Sequence, residues 1–199
     1  MRRVKLSVIV GTLGMLLSAC SILPNNPPLE TYRLAPSQVQ VQVRPSKLSL
    51  SIPEPYANRV IAHQRLAVIT DNNEVLAYDG VRWEDVAHKV FRNRLVEDFQ
   101  RANSYKTILI NDEQINVDRS LRLDVQAYQL QYKQGRPSVV IAVNATLVNR
   151  RTGDVIASRH FHAEQETDSA QLSAILPVFS QLNDQVNTAL IQWTRGQDK

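Results

Sequence analysis

The chain has 199 residues, 43% hydrophobic and 21% charged, with a formal net charge of +4. Its 23 lysines and arginines are interspersed with 19 acidic residues. Without a basic cluster, an aromatic-basic ladder or a glycine-rich phosphate loop, this composition argues against nucleic acid as a partner. A single cysteine rules out an intrachain disulfide and a thiolate metal cluster.

The N-terminus carries the strongest signal. Arg2, Arg3 and Lys5 form a short positive region, and Leu6 to Leu17 is mostly apolar, interrupted by Gly11, Thr12 and Gly14. That run is well short of the roughly 20 residues a spanning helix needs and has the length of a signal-peptide core. It ends in Leu17-Ser18-Ala19-Cys20, which resembles the lipobox of bacterial lipoproteins. The resemblance implies cleavage before Cys20, a diacylglyceryl thioether on its thiol and usually an acylated amine, with acyl groups such as palmitate. Each buried methylene contributes about 0.8 kcal/mol, so one chain holds marginally and two or three hold firmly. Loss of residues 1–19 removes three cations, which takes the basic count from 23 to 20 against 19 acidic groups. The mature chain is therefore near neutral.

Ser21 to Glu30 contains Pro24, Pro27 and Pro28 and reads as a stiff tether. About ten extended residues reach about 30 Å. The expected organisation is a signal peptide over 1–19, lipidated Cys20 with a tether over 20–30, and one domain over 31–199, long enough to bury a real core.

Within that domain Val39, Val41 and Val43 alternate with glutamines and predict a strand. Leu48, Leu50 and Ile52 resume the period of two after Pro45. Leu66–Thr70 and Glu74–Tyr78 flank Asp71-Asn72-Asn73 as a hairpin. Trp83, Val86, Ala87, Val90, Phe91, Leu95 and Phe99 recur at helical spacing over 84–101, with Glu84, Lys89, Arg92 and Glu97 on the outer face. Lys106–Ile110 reads as a short strand. Leu121, Leu123, Val125 and Ala127 alternate before the phase moves to Tyr128, Leu130 and Tyr132, the mark of a β-bulge. Turns at Gln134–Pro137 and Asn149–Asp154 divide this strand from two more, Val139–Leu147 and Val155–Ala163. A last helix is expected from a cap at Asp168 or Ser169, with an apolar stripe from Leu172 to Trp193 and a kink or break at Pro177. The sum is an α+β fold: a twisted, mainly antiparallel sheet with two long helices packed on one face.

Chemistry is sparse. His160, His162 and Glu164 share one face of a strand, as metal ligands would, but a polar outer face accounts for them equally, and no metal site is assigned. His88 falls among exposed helix positions and His63 in a loop. Glu84 with Asp85 and Glu97 with Asp98 are adjacent pairs about 100° apart on a helix, so they do not converge as acid and base must, and a solvated helix face accounts for them. No hydrolase or metalloprotease motif occurs, and neither catalysis nor a cofactor is expected. Trp83, Tyr128, Tyr132 and Trp193 fit a lipid or partner groove less well than ordinary core packing.

With the lipobox, the tether, Tyr32-Arg33-Leu34 and the strand-turn-strand Leu147-Val148-Asn149-Arg150-Arg151-Thr152-Gly153-Asp154-Val155-Ile156 in place, the chain resembles the auxiliary lipoproteins of ABC-type transport systems over residues 17–195. The resemblance implies a periplasm-facing accessory protein on the outer membrane. It would work with an MCE-domain protein and inner-membrane transport components that move lipids or other hydrophobic molecules between membranes. Ser21 after the cysteine, in place of aspartate, agrees with export to the outer membrane. A homo-oligomer, such as a ring of identical subunits, is one form that a docking protein of this kind takes. A carrier with its own lipid pocket and a structural or assembly lipoprotein are the other readings.

Overall fold

The computed structural model describes residues 28–111 and 115–198. Cys20, the signal peptide over 1–19 and most of the tether lie outside them.

Nine strands form one sheet. In chain order the elements are β1 (Glu30–Tyr32), β2 (Ser46–Ser51), β3 (Tyr56–Ala57), β4 (Arg65–Ile69), β5 (Val75–Trp83), α1 (Ala87–Arg101), β6 (Tyr105–Leu109), β7 (Arg119–Lys133), β8 (Arg136–Asn149), β9 (Val155–Glu166) and α2 (Leu172–Gln197). The long β7–β8–β9 meander is antiparallel throughout. Gln134 and Gly135, with φ of 54° and 75°, form the two-residue turn that joins β7 to β8. Positive φ at both positions is the twist-matched hairpin geometry, and glycine adopts it without steric cost. The expected bulge is present: the β7–β8 register shifts between Val125 and Ala127. It lets Leu121, Leu123, Val125, Tyr128 and Leu130 all face the main core, while Ala127 joins Val140 and Ala142 on the opposite face.

The other edge of β7 corrects the expectation of a mainly antiparallel sheet. Three short strands add to it in parallel: β2 at Arg119–Ser120, β3 at Asp124–Val125 and β4 at Gln129–Gln131. With β1–β5 and β2–β6 also parallel, five of the eight pairings among the described residues are parallel, and the sheet is mixed. Periodicity reveals which residues share a face. It carries no information on strand direction, which the connections decide.

The 66–78 hairpin is present as β4 and β5, with Asn73 at φ 62° in its turn. β5 runs on through Trp83, so that residue ends a strand and does not begin the helix. α1 starts at Ala87, its N-cap position held by Val86 with no side-chain cap. α2 starts at Leu172, later than the expected cap at Asp168 or Ser169, and runs unbroken past Pro177. Pro177 sits in the second turn and removes one intrahelical bond, to the Ser173 carbonyl, close to the helix start.

The core lies between the sheet and the two helices. Trp83 of β5, Tyr128 of β7 and Phe179 of α2 contact one another with ring centroids 5.2 to 5.6 Å apart, and Phe91 of α1 stands 6.3 Å from Tyr128. Edge-on and tilted geometries dominate, as ring quadrupoles prefer. One aromatic cluster thus ties both helices to the centre of the sheet.

Candidate docking surface

The alternation at Val39, Val41 and Val43 is real, but its partner is not a strand. Residues 33–45 form an extended strap without regular secondary structure. Leu34 and Val39 are buried on the core, and Val41 and Val43 pack against it. Pro36 and Pro45 bound the stretch and disfavour helix at the residues before them. Side chains of both helices bind the strap through its backbone. The Ala35 N–H donates to Ser180 Oγ at 3.0 Å and the Gln38 N–H to Asp184 Oδ2 at 2.9 Å. In return Arg94 donates to the Ala35 carbonyl and Arg195 to the Arg44 carbonyl. The strap therefore couples the chain leaving β1, next to the tether, to the whole helical layer.

Beneath it lies a buried polar seam that the sequence pattern concealed. Asp98, expected on a solvated face, is buried; its carboxylate accepts from Asn187 Nδ2 at 2.7 Å and from Arg101 Nη1 at 3.2 Å. Burial holds its carboxyl above the usual aspartate range. Asn183 Nδ2 donates to Tyr128 Oη at 2.9 Å. The available signal was spacing: Asp98 lies three and seven residues after Leu95 and Phe91, on the apolar side of α1. His88 and Arg92, expected outside, are also buried. His88 Nε2 stands 3.2 Å from Glu54 Oε1, and that bond, with Lys89 beside it, holds the Glu54 carboxyl below its usual range. At the end of α2, Asp198 accepts from Tyr105 Oη, Arg119 Nε and Arg195 Nη1, which fixes the helix end to β6 and β7.

The face of the sheet away from the helices carries the histidine pair. His160 and His162 stack with centroids 6.3 Å apart. His160 Nδ1 is engaged with Asn144 Oδ1 at 2.7 Å, and Glu164 accepts two bonds from Lys133. Among the described residues no three metal-ligating side chains converge. Trp83 and Tyr128 lie in the core, Trp193 packs on Phe161, and Tyr132 packs at the core margin. These aromatics mainly fill the molecule; Trp83 also borders a narrow crevice with Leu172 and Leu176, and Tyr132 an open depression with Gln131 and Lys133. The exposed apolar surface is elsewhere: Val75 and Leu76, 54% and 52% exposed, border a shallow depression with Val60, Ala67 and Ala77, rimmed by His63 and Arg65. Among the described residues no helix is long and apolar enough to cross a membrane.

A mixed sheet with two helices on one face and an N-terminal strap seated on both helices defines an α+β domain. The match with known families agrees with this description. Residues 32–190 match the ABC-type transport auxiliary lipoprotein component family, and the chain belongs to it. Among solved structures it is similar to protein XCC0632 from Xanthomonas campestris, with 26% identity and a TM-score of 0.73, covering 84% of this chain and 96% of that one. A second crystal structure, of an uncharacterized protein, has 15% identity and a TM-score of 0.65, covering 84% and 99%. The hypothetical protein CT253 from Chlamydia trachomatis has 8% identity and a TM-score of 0.50, covering 76% and 98%. The last two show the fold alone. Among curated proteins none matches. Membership makes the chain a transport-associated lipoprotein of the cell envelope, held at a membrane.

Proposed function

We propose that this lipoprotein is a non-enzymatic docking component of an MCE/ABC-type envelope transport system. It is cleaved before Cys20, anchored by that residue in the outer membrane and faces the periplasm. The family match over residues 32–190 carries the reading, and the lipobox ending at Cys20 supports the anchor. Its partners are an MCE-domain protein and inner-membrane components that move lipids or other hydrophobic molecules. Its mechanism is positional: acyl chains fix one end, the tether gives reach, and the domain presents a surface.

The packing favours docking over a carrier role. The space between sheet and helices is filled by Trp83, Tyr128, Phe91 and Phe179, each at most 1% exposed. The apolar crevice between Tyr32, Trp83, Leu172 and Leu176 is too narrow for a water molecule, let alone an acyl chain. The apolar depression at Val75 and Leu76 is a natural seat for a protein partner. The alternative is a structural or assembly lipoprotein. Affinity purification of the lipidated protein from membranes, with identification of proteins and lipids, separates the readings. An MCE-domain protein in the eluate is expected; other envelope proteins and no transport component would refute the transport role. Cys20→Ala is expected to abolish acylation, and a variant that still partitions wholly with the outer membrane would refute the anchor.

A further inference from the structure

A groove of about 360 Å³ lies between the start of the strap and α1. We propose that it binds the zwitterionic headgroup of a phospholipid, an ethanolamine phosphate, in the leaflet that holds the anchor; the source of the ligand rests on the anchored reading above.

The walls carry both signs of charge. Arg33 and Arg94 supply guanidinium groups, Glu84 and Glu97 carboxylates and Asn93 a carboxamide, over a floor that includes Leu34 and Val90. Arg94 is 7% exposed and held by its bond to the Ala35 carbonyl, so it is a fixed cation at the back. It forms no ion pair among the described residues, but it lies close enough to the buried Asp98 carboxylate to lower that group's pKa through its charge. The side chains of Arg33, Glu84, Asn93 and Glu97 make no hydrogen bond or ion pair with the described residues. Arg33, Glu84 and Glu97 thus stand unpaired among the described residues along one groove, with the largely buried Arg94 behind them, which leaves space for a ligand between their charges.

A purely anionic ligand would face Glu84 and Glu97, and a purely cationic one Arg33 and Arg94, so the groove selects for both charges in one molecule. Guanidinium groups suit phosphate, which they grip through paired N–H donors. A primary ammonium donates three hydrogen bonds to carboxylates and a carboxamide, which a quaternary choline does not. The location favours a lipid over a soluble zwitterion. Arg33 directly follows β1, and the chain from Cys20 to Pro28 spans at most about 30 Å. Anchoring confines the groove near the bilayer, and the resulting effective concentration makes modest headgroup affinity sufficient.

The test uses the lipidated protein in an uncharged maltoside detergent, titrated with glycerophosphoethanolamine by calorimetry. Glycerol phosphate, ethanolamine and glycine are the comparison ligands. Glycerophosphoethanolamine is expected to bind about tenfold tighter than any of the three, and Arg33→Ala and Glu97→Ala each to weaken it about tenfold. Both side chains are exposed and have no partner among the described residues, so these variants are expected to keep the parent circular dichroism. In vesicles, phosphatidylethanolamine added to phosphatidylcholine is expected to slow hydrogen exchange over residues 33–36. Equal binding of the half-ligands, parent-like binding by both variants, competition by glycine at equal affinity, or exchange indifferent to phosphatidylethanolamine would each overturn the assignment. The titration does not depend on the anchor, so its failure is distinguishable from loss of attachment in Cys20→Ala.

Discussion

Asn187→Ala removes one neutral partner of a buried carboxylate that Ser37 also serves, and its consequence follows from the geometry. Asn187 and the Asp98 side chain are both fully buried, and the bond between them is 2.7 Å long. A hydrogen bond to a charged acceptor contributes about 1.5–3 kcal/mol, and the truncation also leaves Asp98 under-solvated. Arg101 remains, but its side chain is half exposed, and such a pair contributes only about 0.5 kcal/mol. The expected loss is about 2–3 kcal/mol, or roughly 5–10 °C in Tm for a domain of this size. Asp98→Asn is expected to change stability by less than about 1 kcal/mol at neutral pH, since a carboxamide oxygen still accepts from Asn187 and no charge is buried. Placed on that background, Asn187→Ala is expected to cost about 1 kcal/mol, so the double-mutant cycle shows coupling. The pH dependence has a definite sign. Burial raises the folded carboxyl above its unfolded value of about 3.9, so the folded chain keeps this proton to higher pH. Relative to Asp98→Asn, the parent is most stable below that value and loses ground as pH rises through the raised one. Urea unfolding of parent, single and double variants from pH 4 to 8 reads all of these quantities. A loss below about 0.5 kcal/mol for Asn187→Ala, or a parent that gains on Asp98→Asn with rising pH, would refute the reasoning.

Other substitutions test the frame. Asp198→Ala strips one acceptor from Tyr105, Arg119 and Arg195 together and is expected to cost about 3 kcal/mol, read as a Tm shift with faster amide exchange in the last turn of α2. Trp83→Ala opens a cavity at the centre of the aromatic cluster and is expected to cost about 3–5 kcal/mol by chemical denaturation. Gly135→Val forces a β-branched residue to φ 75° in the β7–β8 turn; a loss of about 2 kcal/mol is expected, and a neutral result would deny that the turn adopts this geometry. Glu54→Gln removes a carboxyl held below its usual range by His88, so the parent's advantage is expected above the unfolded glutamate value and is lost as pH falls through the folded one. It is read by comparing the two proteins at pH 3 and pH 7.

The β7–β8–β9 meander was legible because its residues alternate over long runs and its turns carry residues that tolerate positive φ. Even the bulge was visible as a change of phase, because side chains alternate strictly and an extra residue must shift them. The two helices were legible from their apolar stripes for a similar reason. At Val39–Val43 the same alternation named the wrong partner, since an extended chain buries every second residue whether it lies on a strand or on two helices. Asp98, His88 and Arg92 were misplaced because charge predicts exposure only while no partner or apolar neighbour covers the group. For Asp98 and His88 the partners, Asn187 and Glu54, come from distant parts of the chain.

By itself the sequence determined the faces of the long strands and helices, which depend on local periodicity, and it carried the lipobox-like Leu17–Cys20 and the proline-rich Ser21–Glu30 on which the proposed anchor and tether rest. The tertiary structure decided what depends on chain direction and distant partners. Among these are the parallel strands laid along β7, the strap seated on the helices and the charges of Arg33, Arg94, Glu84 and Glu97 gathered in one groove. Those four residues fall in two short stretches some fifty residues apart, and no local pattern relates them. They meet because β1 pairs with β5, which sets the strap beside the first turns of α1.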